Sequence, residues 1–441
     1  MSSPPSSSSE LENEEFGRLL DIKPDDLVAL SWRIYSGLQE EPIPSSSAPI
    51  AHLVDTFYGS FNIVHILELN GDRKIVIRIP ITGKSGSLEG AAGQAIESQV
   101  QTMRHIRATT TIPIPEVYHF DVTDNNELSA PYIAMAYIPG VSVAKMWFND
   151  DESIEEKRLK ILSQLAGFSC QLRELRFEAI GSLLPPLPSD SRMSSIGPCF
   201  SWEEPEEDPD NVGVISYGPF STSDSWLEHI WAPILRNPKS HYDRACVKII
   251  ETMLPHLPQT APHYTLTMPD FDSQNVMVDG EGNITGLIDW DNARTKPDYL
   301  GFARFPGWIT RDWDPLMYGW PHSDNENSPE ELNKYRQYYF DEMKTILAAI
   351  GSTDYYLTEK AHVFEALVIA MANEHHTIPI CAKFVAEVMR ALPEENAFKE
   401  AGWKVGQEIA VLVCLGDGEL EEEAWLQLQD GLKTLMELSV S

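Results

Sequence analysis

The chain has little cysteine. Five (Cys170, Cys199, Cys246, Cys381 and Cys414) are scattered through 441 residues, and no two form a CxxC pair. An odd, dispersed set argues against a disulfide framework and a zinc site, and suits a reducing compartment. Long apolar runs are also missing. The stretch 409–415 is far too short to cross a bilayer. The opening Met-Ser-Ser-Pro-Pro has neither the apolar segment of a secretory signal nor the Arg-rich pattern of a transit peptide, so a cytoplasmic location is expected. Positive charge is scarce as well: 33 Lys and Arg face 67 Asp and Glu, a net charge of -34. Such a surface repels phosphate backbones and anionic membranes. Nucleic acid and membranes are therefore not expected partners, while a cationic small molecule would be tolerated.

What is present is an α+β layout in two lobes. Residues 1–14 are Ser, Pro and acidic residues, which cannot bury a core, and read as a disordered tail. Residues 15–137 read as a β-rich lobe: runs at 61–69 and 74–79 flank Asn70-Gly71-Asp72, a hairpin signal, with a helix over 88–106 and strands at 114–120 and 131–137. After Ile138-Pro139-Gly140 helices dominate residues 138–441, including 154–175, a helix capped by Ser328-Pro329-Glu330-Glu331, and 421–438. The Pro-, Ser- and acid-rich stretch 185–224 reads as a surface insertion.

The chemistry concentrates in Asp270-Phe271-Asp272-Ser273-Gln274-Asn275. An Asp followed five residues later by Asn, on a loop entering a strand, can present a carboxylate to an acceptor hydroxyl and an amide oxygen to Mg2+. The turn 279–283 then leads into Ile288-Asp289-Trp290, which supplies a second hard oxygen ligand. Upstream, period-2 alternation puts Val76 and Arg78 on one strand face.

This register resembles the aminoglycoside phosphotransferase, or phosphotransferase enzyme, family, a branch of the protein-kinase-like fold. The family's HGDxxxxN is matched by residues 268–275 and its GxIDWE/D by residues 286–291, with Met268 and Pro269 standing where the family has His and Gly. The resemblance implies a bilobal kinase-like fold and ATP-dependent phosphorylation of a hydroxyl on a small metabolite. By it, Asp270 is the catalytic base, and Asn275 and Asp289 bind Mg2+. Arg78, in place of the usual Lys and as in a fungal-type subgroup, holds the nucleotide phosphates. Glu97 pairs with that cation. Val76 and the hinge around Met135 and Tyr137 receive the adenine. Met268, and Ala136 in place of a hinge Glu, leave one alternative: a kinase-like scaffold that binds nucleotide or protein without transfer.

Overall fold

A computed structural model describes residues 16–39, 51–71, 73–185, 195–203, 212–259 and 263–439. The tail read at 1–14 lies outside them, as does part of the stretch 185–224. In chain order the elements that matter are helix α1 (Pro24–Gly37), strands β1 (Ala51–Tyr58), β2 (Asn62–Leu69) and β3 (Arg73–Pro80), helix α2 (Gly90–Thr109), then β4 (Val117–Asp121), β5 (Tyr132–Ala136) and β6 (Val141–Ser142). Helix α3 (Ile154–Leu172), strands β7 (Cys199–Glu203) and β8 (Gly213–Tyr217), and helix α4 (His241–Met253) follow. Next come β9 (Tyr264–Thr267), β10 (Val276–Val278), β11 (Ile284–Leu287) and β12 (Arg294–Lys296). The chain then turns helical: α5 (Pro329–Ala349), α6 (Ala361–Ala372), α7 (Glu374–Ala391), α8 (Glu408–Asp417) and α9 (Glu422–Met436).

Strands β1–β5 form one antiparallel sheet in the order β1-β2-β3-β5-β4. Its alternation is that of a sheet with two different faces. Ile75, Ile77 and Ile79 are buried with Leu67 and Leu69 against Leu27, Leu30 and Ile34 of α1. The opposite face carries Val76 and Arg78 toward the helical half. Asn70 (φ 54°) and Gly71 (φ 79°) both take positive φ between β2 and β3, the conformation for which Asn-Gly is suited.

The helical half has two apolar clusters. One packs α3 and α5 around Met268, Phe271, Trp290 and Phe305. The other packs α4, α6, α7, α8 and α9 around Ile249, Phe364, Phe384 and Leu428. Ser328 caps α5 with a reciprocal capping box to Glu331, so that helix starts where its sequence signal lies. The link from β5 docks onto β10 through Gly140, at φ 124°. A Cβ there would lie 2.3 Å from the Val278 carbonyl, so only glycine lets β6 pair with β10.

The insertion at 185–224 is more ordered than a surface loop where it is described. Strands β7 and β8 pair antiparallel, and Trp202 and Val212 pack against the core of the β-rich half. No helix among the described residues is long and apolar enough to cross a membrane.

Candidate active site

Asp270 sits at the turn after β9, and the loop folds back on it. Asn275 Nδ2 donates to Asp270 Oδ2 at 2.8 Å and to the Asp270 carbonyl at 3.0 Å; Gln274 Nε2 donates to the same Oδ2 at 2.9 Å. Asn275 is buried, and its amide oxygen accepts no hydrogen bond among the described residues, so that oxygen is available to a cation. Ile288 N donates to the Asn275 carbonyl at 2.9 Å, which ties the end of β11 to the 270–275 turn and sets Asp289 next in the chain. Asp289 has φ 62° and Asn292 φ 55°. Left-handed backbone at a non-glycine residue costs on the order of 1 kcal/mol.

Three long-range polar contacts hold the turn to the sheet. Arg78 Nη2 donates to Asp289 Oδ1 at 2.9 Å and to Asp291 Oδ2 at 2.8 Å, and Nη1 donates to Asp291 Oδ1 at 2.5 Å. Asn62 Nδ2 adds a hydrogen bond to Asp291 Oδ2 at 3.1 Å. Burial disfavours the charge on Arg78, but the attraction of Asp291 and Asp289 outweighs it and raises the pKa above the ordinary value.

The expected Arg78–Glu97 pair is not formed. The face of α2 that lines the adjoining cavity with Asp291 carries Ala92, Ala95, Ile96 and Gln99, at i, i+3, i+4 and i+7. Glu97 lies off that stripe and makes no ion pair or hydrogen bond with Arg78. The guanidinium takes two carboxylates from the 289–291 turn instead. Val76 and Met135 are cross-strand partners on β3 and β5, and Ile133 lies opposite Arg78. Tyr137 follows β5, with the Lys74 ammonium 5.2 Å from its ring centre. Lys74, Ala136, Tyr137 and Pro139 line a cleft along this linker.

Met268, where the family has His, is buried. The loop is braced by other means. Arg304 Nη1 donates to the Met268 carbonyl at 3.2 Å, and Gly307 N donates to the Phe271 carbonyl at 2.7 Å. Asp272 caps the Ser273–Asn275 turn and pairs with Arg311 at 3.2 Å.

Sequence reasoning passed over several residues of this region. Asp291 was visible in Ile288-Asp289-Trp290-Asp291, where a second carboxylate two residues on signals a shared cation. Asn62 and Trp202 had no local signal. The Trp202 ring stacks on Phe61, centres 4.6 Å apart and planes 5° from parallel, and lines the same cavity as Asn62 and Asp291. Arg294 fixes the base of that hairpin, donating to the Phe200 carbonyl at 2.8 Å and to the Tyr217 hydroxyl. The Lys296 ammonium makes no hydrogen bond or ion pair among the described residues; burial, then Arg304 and Arg294, pull its pKa down to about 7.

The chain is 24% identical to the subtelomeric hrmA-associated cluster protein of Aspergillus fumigatus over 378 residues, covering 72% of this chain and 70% of that protein. It is 25% identical to altered inheritance of mitochondria protein 9, mitochondrial, of Kluyveromyces lactis over 146 residues, 32% of this chain and 23% of that one. Among solved structures, aminoglycoside phosphotransferase APH(4)-Ia in ternary complex with AMP-PNP and hygromycin B superposes with a TM-score of 0.40 at 15% identity, covering 89% of this chain and 95% of that one. Macrolide 2'-phosphotransferase MphH from Brachybacterium faecium gives 0.38 at 12% identity, covering 90% and 99%. The model of the phosphotransferase enzyme family matches residues 84–299, which contain α2, the linker, the Asp270–Asn275 loop and Asp289. Over this segment, just under half of its length, the chain is similar to the phosphotransferase enzyme family.

Proposed function

We propose that the chain transfers the γ-phosphate of ATP to a hydroxyl of a small metabolite. The observation that carries this is the Asp270–Asn275 contact. One amide hydrogen-bonds the carboxylate that would orient the acceptor hydroxyl, and its oxygen stays available for a metal. Mg2+ fits the donor set: Asn275 and Asp289 offer hard oxygens, and waters and phosphates can complete its shell. When bound, the ion would neutralise charge on the triphosphate. Arg78, released from part of its carboxylate pairing, would meet the phosphates. Val76, Met135 and Tyr137 would receive the base.

Asp270→Ala tests this reading. Transfer, followed by mass spectrometry of phosphorylated products, should fall by at least about a thousandfold. Mg-AMP-PNP affinity by calorimetry should stay within a few-fold, on the order of the ~1 kcal/mol that a single hydrogen bond is worth. Turnover equal to the unaltered chain would sink the assignment.

A non-transferring scaffold is the second reading. The observation that favours it is Arg78, held by Asp289 and Asp291 where phosphates and metal would sit. Nucleotide binding without product across a hydroxyl-metabolite panel would establish it. The acidic surface supports a small-molecule partner rather than nucleic acid or membrane. We place the protein in the cytoplasm; a tagged chain found with mitochondria on cell fractionation would reverse that.

A further inference from the structure

A cleft beside the catalytic loop has no assigned role. Asp272 lies on its wall, and the Asp272 amide donates to the Asp270 carbonyl at 2.8 Å, so the cleft opens next to the base. Its other walls come from Arg304, Trp313, Met317, His362 and Glu365.

Two features limit what the cleft can hold. The first is charge. Each carboxylate already has a basic partner: Asp272 pairs with Arg311 at 3.2 Å, Glu365 with Arg304 at 2.6 Å, and Asp314 with His376 at 2.7 Å. Lys296 also lies within electrostatic range of Arg304 and Glu365. In a chain of net charge -34, two of this cleft's three carboxylates, Asp272 and Glu365, are paired with arginines. A polycation would have to displace those arginines, and an anion would compete with Glu365 for Arg304 and with Asp272 for Arg311. Either would be desolvated without compensation.

The second is a set of orphaned polar atoms. Glu365 Oε2, His362 Nδ1 and Arg304 Nε are all buried and have no hydrogen-bond partner, although Arg304 Nε lies 2.6 Å from Glu365 Oε1 in an ion pair. Burial, reinforced by Arg336, Lys360 and Lys383, drives the His362 pKa well below the ordinary value, so its ring is neutral. A neutral imidazole and one spare carboxylate oxygen match hydroxyls, which both donate and accept. Trp313 is largely buried, with the Lys383 ammonium 5.2 Å from its ring centre, and it shares the apolar wall with the exposed Met317 at the rim.

We infer that this cleft is the acceptor site, and that it takes an uncharged, ring-shaped polyol held by Glu365 and His362 against Trp313. The inference rests on the phosphotransferase reading above.

The test incubates the full chain and Mg-ATP with neutral glycosides and cyclitols, each matched to its amino-sugar and uronic-acid counterpart. The best neutral acceptor should exceed its charged counterparts in kcat/KM by about tenfold or more, the equivalent of about 1.4 kcal/mol. A best substrate that is an amine or a carboxylate overturns the inference. So does the absence of neutral products while Mg-AMP-PNP still binds. Loss of nucleotide binding itself instead removes the phosphotransferase reading, and the inference with it. Glu365→Gln should raise the acceptor KM by roughly threefold to tenfold, the worth of one hydrogen bond, with the KM for ATP unchanged. Ile369→Phe, which narrows the cleft from α6, should do the same without disturbing the Arg304 pair. An unchanged acceptor KM in both variants overturns the site.

Discussion

At the residue scale the decisive group is Arg78. It was visible in the sequence as a cation on a buried strand, because alternation places it with Val76. Its partners were not, since Asp289 and Asp291 lie more than two hundred positions away and local patterning carries no information across that distance. Glu97 was the acid that the family resemblance assigned to Arg78. The stripe Ala92, Ala95, Ile96 and Gln99 lines the cavity beside Asp291, and Glu97 falls outside it. Two predictions belong here. Arg78→Met leaves Asp291 buried beside Asp289 with only Asn62 as donor, and should cost about 3–5 kcal/mol in denaturant unfolding. Arg78→Lys keeps the charge but loses the fork, and should cost about 1–2 kcal/mol. Equal losses in the two variants would mean that geometry contributes nothing. Lys296 gives a pH signature. Its folded pKa, about 7, lies below the unfolded value, so the unfolded chain binds the extra proton between about pH 7 and pH 10.5. The penalty is full below that window and is relieved as pH rises through it. Lys296→Met should therefore raise the melting temperature most at or below pH 7, and the gain should shrink toward pH 10. A gain independent of pH would show that Lys296 is not desolvated.

At the element scale the candidate catalytic turn was readable and the insertion was not. The loop 270–275, the turn at 279–283 and Asp289 lie within twenty residues of one another, so spacing alone brings them together. The insertion is rich in Pro, Ser and acids, and that composition reads as loop. Its strands are short, and their stability comes from contacts made elsewhere: Phe61 on the β-rich half and Arg294 beyond β11. The hairpin therefore couples the segment carrying Asp289 to the loop before β2. Asn62, next to Phe61, hydrogen-bonds Asp291, so the Trp202 stack supports that contact through the backbone. Trp202→Ala should cost about 1–2 kcal/mol of stability and raise the KM for ATP several-fold, with a smaller change in kcat; Trp202→Phe should restore most of both. A kcat loss with an unchanged ATP KM would separate the hairpin from nucleotide binding.

For the whole molecule, the net charge of -34 sets a balance that the fold must tolerate. Like charges spread over the surface repel one another, and the repulsion is larger in the compact state than in the expanded one. The ion pairs that join sheet to catalytic turn are of another kind. Arg78 and Asp291 are largely buried, with side chains 12% and 17% exposed, so dissolved ions reach them poorly. Exposed pairs such as Arg107–Glu116, 3.4 Å apart, contribute little at any salt concentration. Salt should therefore weaken the surface repulsion much more than the buried attraction. Raising KCl from about 0.02 M to about 0.5 M shortens the screening length from roughly 20 Å to roughly 4 Å, less than the spacing of most surface carboxylates. The melting temperature should then rise by a few degrees, and the rise should persist in Arg78→Met, because it does not depend on that pair. If added salt lowered the melting temperature instead, exposed ion pairs would outweigh the surface repulsion, and the acidic excess would not be the dominant electrostatic cost of the folded state.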